Sequence, residues 1–235
     1  MLISIPLRNL DQNPWLELPG AAPFVLDTDR PIIDDFNYRA KGRTPAYRVE
    51  TSLLPEPWVG WVDAPILLLL LNPGVSDEDL VLHQQTDFRR RVLACHRQAP
   101  SEYPNYYLDP ALTGPGARWS RRVLAFLIRD VGAASVAENV AYLEFFPYHS
   151  RRFAHHRLRV PSQDYTFGLL REAIRRETVI FVTRGRVVWE EVVPELAGYR
   201  RAFTTRSRQN VVITPRNCPE GYPLAAQVME ALLGH

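Results

Sequence analysis

Apolar residues run unbroken from Ile66 to Leu71 and stop at Asn72-Pro73-Gly74. A run of that length without polar alternation predicts a strand buried on both faces, as in a parallel sheet covered by helices. Pro73 and Gly74 end it, and Ser76 with Asp79 reads as a capping box opening a helix near 78–97. Beyond a Pro/Tyr/Gly loop, Trp119, Val123, Phe126 and Leu127 recur at helical spacing and predict a helix over 117–131. Strands follow at 139–146, 178–183 and 210–214, separated by helices near 163–176 (capped by Ser162) and 185–197, with a last helix near 222–233. This alternation predicts an α/β fold, three layers α/β/α around a central, mostly parallel four-stranded sheet.

Residues 1–62 break the rhythm. They are Pro-rich, aromatic and weakly periodic, and Trp15, Phe36, Trp58 and Trp61 need burial. The expected organisation is an N-terminal extension, 1–62, packed on an α/β domain, 63–235. With 46% hydrophobic residues among 235, the chain can bury a substantial core. No signal-peptide pattern and no apolar run of about 18 residues is present, so a cytoplasmic protein with no membrane partner is expected. Cys95 and Cys218 are too few for a disulfide framework and are read as reduced, packed thiols.

Charge is unevenly spread. Residues 1–80 carry 12 acidic and 6 basic side chains, and the remainder 14 acidic and 22 basic; Lys41 is the only lysine. An arginine-rich C-terminal part is compatible with nucleic acid, because guanidinium binds phosphate bidentately and stacks on bases. A GC-rich genome produces the same bias.

A doubly wound sheet gathers the loops at the carboxyl ends of its strands. Here those loops are NPG (72–74), EFFPYHS (144–150), TRGR (183–186) and TPRN (214–217). Together they resemble the motifs of the uracil-DNA glycosylase superfamily, nearest its mismatch-specific and single-strand-selective monofunctional branches. The first motif, G-x-N-P-G, is matched by Leu70-Leu71-Asn72-Pro73-Gly74 except at its leading glycine. The middle motif, N-x-x-P, aligns with Glu144-Phe145-Phe146-Pro147, and the last, H-P-S-P-R-N, is matched at Pro215-Arg216-Asn217 with Thr214 for serine. The resemblance spans about 65–235 in the order of elements and fewer than ten identities.

That resemblance implies a DNA-repair hydrolase, a monofunctional DNA N-glycosylase without metal or organic cofactor, acting on single-stranded or mismatched DNA. Breaking an N-glycosidic bond needs a positioned water, donors for the departing base and a pocket for the flipped base. The resemblance gives Asn72 the water, Glu144 the base edge, Phe88 or Tyr107 the stacking surface, and Arg216 with Asn217 the DNA wedge. The family's last-motif histidine is missing around Val211, and His149 is the nearest substitute. Glu144 stands where the family has asparagine; an ionised carboxylate only accepts hydrogen bonds, which suits an amino-bearing base edge better than uracil. The expected substrate is therefore a base other than ordinary uracil. The alternatives are a catalytically inactive nucleic-acid-binding module of the same fold, or a small-nucleotide hydrolase.

Other groups carry plainer readings. Asp77, Glu78 and Asp79 complement a helix macrodipole rather than bind metal with Asp63 or Glu56. His149, His155 and His156 share one loop, but with no nearby cysteine and no HxxxH pairing they read as solvated or phosphate-facing rather than zinc-binding. Arg151, Arg152, Arg157 and Arg159 interleave with Phe153 as the best nucleic-acid patch, with Arg184 beside Gly185 at a helix start as a second anion contact. Tyr103, Tyr106 and Tyr107 read as packing before base stacking.

Overall fold

A computed structural model describes residues 13–40, 44–207 and 209–234. Lys41 and the first 12 residues of the N-terminal extension lie outside them. The chain is α/β. Five strands, β1 (Trp58–Val59), β2 (Ile66–Leu70), β3 (Val140–Glu144), β4 (Val179–Val182) and β5 (Ala202–Thr204), form one sheet in the order β1-β3-β2-β4-β5. Strands β2 to β5 are parallel, and only the edge strand β1 is antiparallel, to β3. Nine α-helices accompany it among the described residues: α1 (Arg30–Ala40), α2 (Asp77–Leu82), α3 (Thr86–His96), α4 (Pro115–Val123), α5 (Ala125–Val131), α6 (Ala133–Asn139), α7 (Gln163–Arg175), α8 (Arg186–Val192) and α9 (Gly221–Leu233). Helices α5, α6 and α9 pack together against the sheet and α7 packs on β3, consistent with a three-layer arrangement. No described helix is long and apolar enough to cross a membrane.

The unbroken apolar strands are where their pattern puts them. Residues Ile66 to Leu69 of β2, all of β3 and all of β4 are buried, as both-face burial requires. The capping box is present: Ser76 accepts from the Asp79 N–H, and Asp79 accepts from the Ser76 N–H at 2.8 Å. Two expected long helices are broken, into α2 and α3 at His83–Gln85 and into α4 and α5 at Leu124.

The fourth strand is a correction. Residues 210–214 form no strand; Ala202–Thr204 takes the edge beside β4 instead, and Trp58–Val59 adds a fifth strand at the opposite edge. Val211 and Ile213 are buried, which produces the strand-like alternation, but their backbone bonds go elsewhere. The Ile213 N–H donates to the Val123 carbonyl at the end of α4, and the Asn217 amide holds the Asn210 and Val212 carbonyls, each at 2.8 Å. β5 escaped the sequence reading because its three residues are half-exposed or exposed.

The described part of the N-terminal segment is built into the same core. Trp15, Phe24, Val25, Leu26 and Ile33 are buried in one cluster with the sheet residues. Asp29, fully buried, accepts from Tyr148 Oη at 2.8 Å, from Ser162 Oγ at 2.5 Å and from the Ser162 N–H at 3.0 Å. Ser162 thus joins the segment to α7 instead of capping the helix with its side chain. Removing the shared acceptor strands three buried donors. Asp29→Ala is expected to cost about 3 kcal/mol in urea unfolding, against about 1 kcal/mol for Ser76→Ala, which removes only a cap.

Candidate functional site

The carboxyl end of β2 is tied down carbonyl by carbonyl. Leu69 O accepts from the Thr183 N–H and from Thr183 Oγ1, and Leu70 O from the Phe145 N–H and the Trp189 indole N–H at 3.0 Å. Leu71 O accepts from the Phe146 N–H at 2.8 Å. Gly185, at φ +66°, starts α8 so close to β2 that a Cβ there would meet Leu71 Cδ2 at 2.4 Å. Asn72 extends from this fixed end, half-buried. Its Nδ2 donates to Ser150 Oγ and to the Pro73 carbonyl, both at 2.9 Å. A carbonyl only accepts, so the atom facing Pro73 O is the NH2 group, and the amide orientation follows. Oδ1 meets no donor among the described residues and remains an acceptor.

Beside it lies a buried polar cluster. Glu56, His83 and His149 are 3%, 4% and 2% exposed, and one ligand-capable atom of each lies within 4.8 Å of the others. Glu144, at the end of β3, is 6% exposed, and its Oε2 has no hydrogen-bond partner among the described residues. Tyr107 Oη donates to both carboxylate oxygens of Glu56, at 2.9 and 2.8 Å. His83 Nε2 stands 3.6 Å from Glu56 Oε1, too far for a hydrogen bond, and His83 Nδ1 has no partner among the described residues. His149 Nδ1 faces the Gly74 carbonyl at 2.8 Å and Nε2 the Leu54 carbonyl at 3.0 Å. Both contacts are hydrogen bonds at once only if each ring nitrogen carries a proton.

Burial dominates the electrostatics. It pushes the Glu144 carboxyl well above the usual carboxylate range, and the nearby Glu56 pushes it further. Burial also raises Glu56, but there the His149 ring and the Tyr107 hydroxyl work in the opposite direction. Of the two carboxyls, Glu144 is the one with no opposing charge or hydrogen bond to offset burial, so burial favours its neutral form more strongly. Burial drives His83 down to about 2, with His149 and Arg89 adding to the effect. Uracil fits Glu144 poorly only where that carboxyl is ionised. A protonated carboxyl has one donor and one acceptor, the pattern of the amide it replaces.

The structure places the other expected residues as follows. Phe88 is fully buried, edge-on to His83 and Tyr106, and Tyr107 is buried on Glu56, so both pack the cluster rather than line an open face. Arg151 and Arg152 are exposed, and Arg151 pairs with Asp77 at 2.5 Å. Arg184 is exposed, while neighbouring Arg186 pairs with Glu190. Arg216 is exposed on a cleft of about 630 Å³ shared with Arg206, Asn210 and Thr214. Neither Asn72 nor Glu144 lines that cleft. Asn217 lines it, but its side chain is committed to loop bonds with Ser207, Asn210 and Val212.

Two residues of the cluster, Glu56 and His83, lay outside the expected site. The signal for Glu56 is Pro55-Glu56-Pro57, one charge inside a segment whose residues 53–60 are all buried. A carboxyl held there between prolines and large apolar residues is costly without a partner. His83 carries only the break between α2 and α3 as a signal. The histidine loop also needs correction: His149 and His155 are buried, not solvated, and only His156 is exposed. His155 stacks on Phe146, 4.5 Å between ring centroids at 8°, and its Nε2 bonds the Tyr47 carbonyl at 2.8 Å.

Comparison with known proteins finds no matching family model, no matching curated protein and no matching solved structure.

Burial lowers both His155 and His96 from 6.5 to about 4. Between those values the unfolded chain binds protons that the folded chain refuses, so stability is full above pH 6.5 and falls as pH drops towards 4. Each histidine contributes a loss on the order of 3 kcal/mol across that window. His155→Phe, which keeps a ring against Phe146, is expected to flatten the pH dependence of the urea midpoint; an unchanged slope would show that His155 is not held neutral.

Proposed function

We propose that the chain is a divergent uracil-DNA glycosylase-like hydrolase that removes a flipped base from DNA. The observation that carries this reading is Asn72. Its amide is fixed by Ser150 and Pro73 at the carboxyl end of a central parallel strand, with Oδ1 left to hold a water. Ligands of open α/β sheets collect at that edge, and a pre-oriented acceptor costs no reorganisation when the water attacks. The four parallel strands β2 to β5 also suit the sheet that the motif resemblance implies, with β1 added at its edge.

Glu144 supports a base-reading role of a different kind from that of a carboxylate. In its neutral form it would donate to a base oxygen and accept from a ring N–H, so an oxo-imide edge such as uracil's would fit as well as an amino-bearing one; at 6% exposure it meets a base only once its cover opens. His149 is a poorer donor to the leaving base than its position in sequence suggested, because both ring nitrogens already face backbone carbonyls.

A second reading, a nucleic-acid-binding module without chemistry, is favoured by the separation of the arginine cleft from Asn72 and Glu144. Base release decides between them. Oligonucleotides carrying uracil, hypoxanthine or an oxidised pyrimidine, single-stranded and mismatched, are incubated with excess protein and assayed for free base. Release is expected, with a loss of about 100-fold or more in the single-turnover rate for Asn72→Ala. Salt-sensitive binding with no release from any substrate would establish the binding module instead; release that survives Asn72→Ala would remove Asn72 from the chemistry.

A further inference from the structure

The Glu56–His83–His149 cluster has no role in the reading above, and its geometry is unusual for an interior ion pair. Three ligand-capable atoms from three segments converge within 4.8 Å in a fully buried place. They do not bond to one another: His83 Nε2 and Glu56 Oε1 stop at 3.6 Å, and neither histidine donates to Glu56 among the described residues. Buried polar groups that approach without hydrogen-bonding leave part of their capacity unmet, and His83 Nδ1 and Glu144 Oε2 are unpartnered as well. Two donors each ~2.1 Å from one zinc ion lie ~3.4 Å apart at the tetrahedral angle. The His83–Glu56 spacing already matches, and the widest pair needs to close by on the order of 1 Å.

We propose that Glu56, His83 and His149 form a binding site for one divalent transition-metal ion, with zinc as the best fit. Two imidazoles and one carboxylate are a donor set that zinc accepts, leaving a fourth position for water or another oxygen ligand. The surrounding bonds are those a metal site uses to orient its ligands. Whichever nitrogen of His149 binds must turn off its own carbonyl, Gly74 at 2.8 Å or Leu54 at 3.0 Å, while the other keeps the remaining carbonyl as the acceptor for its N–H. Tyr107 steadies the Glu56 carboxylate. The ion offsets the burial cost of the Glu56 charge.

The test uses the full chain, treated with chelator, desalted and titrated with zinc alone. One equivalent of zinc is expected to bind per chain and to raise the thermal midpoint, with magnesium giving no shift. Cobalt(II) in place of zinc is expected to give visible bands of tetrahedral type without thiolate charge transfer. Glu56→Gln and His83→Gln are each expected to weaken zinc binding by at least about 100-fold, while the exposed-site control His156→Gln keeps it. Failure of the wild-type chain to bind zinc stoichiometrically would overturn the site, as would undiminished affinity in both variants or thiolate bands pointing to cysteine. The wild-type cobalt spectrum stands even if one variant does not fold. Zinc binding is read independently of base release, so Asn72→Ala is expected to keep the ion.

Discussion

The fixed carboxyl end of β2 is the constraint on which the rest of the site depends. The strand lies between two parallel neighbours, so its backbone is satisfied on both sides and its side chains face apolar layers on both faces. Its last carbonyls then need partners beyond the ladder, and Thr183, Trp189, Phe145 and Phe146 supply them. A strand end held in this way resists a register shift, because a slip of one residue would break all of these bonds at once. Asn72 inherits that rigidity. Its remaining freedom is a side-chain rotation, and Ser150 and Pro73 remove it.

The neighbouring cluster is the opposite kind of feature. Packing two carboxyls and two imidazoles into a place that excludes water destabilises the fold unless each finds a partner. Asp29 shows how this chain solves the same problem where function is not at issue: three donors reach one carboxylate. Glu144 and His83 are treated differently, with a buried atom of each left bare. That contrast within one molecule separates a satisfied buried acid from polar groups left without a partner among the described residues.

The sequence made the interior strands legible because burial on both faces demands unbroken apolar runs, and Ile66–Leu71 has no other simple reading. Capping chemistry was legible for the same local reason, Ser76 and Asp79 standing three residues apart. Residues 210–214 misled because burial alternates there without a ladder, Asn217 doing the holding. β5 was invisible, since two half-exposed residues and an exposed one, paired to one neighbour, need no pattern of their own. At the site, Asn72 and Glu144 could be placed from strand ends alone. Glu56 and His83 could not, because their meeting with His149 depends on how distant segments pack.

The position of Glu56 changes what the N-terminal segment is. Residues 50–59 run antiparallel beside 142–149: Glu50 bridges His149, the Glu56 N–H donates to the Pro147 carbonyl, the Glu144 N–H donates to Pro57, and Trp58 pairs with Leu143. A division of the chain at residue 62 would therefore cut through the buried cluster and remove the edge strand that orders Glu144. Backbone pairing fixes where Glu56 enters, the flanking prolines restrict its backbone, and Tyr107 fixes its carboxylate. The segment is then a component of the candidate site, and Trp15, Phe24 and Trp58 bury it in the same core as the sheet.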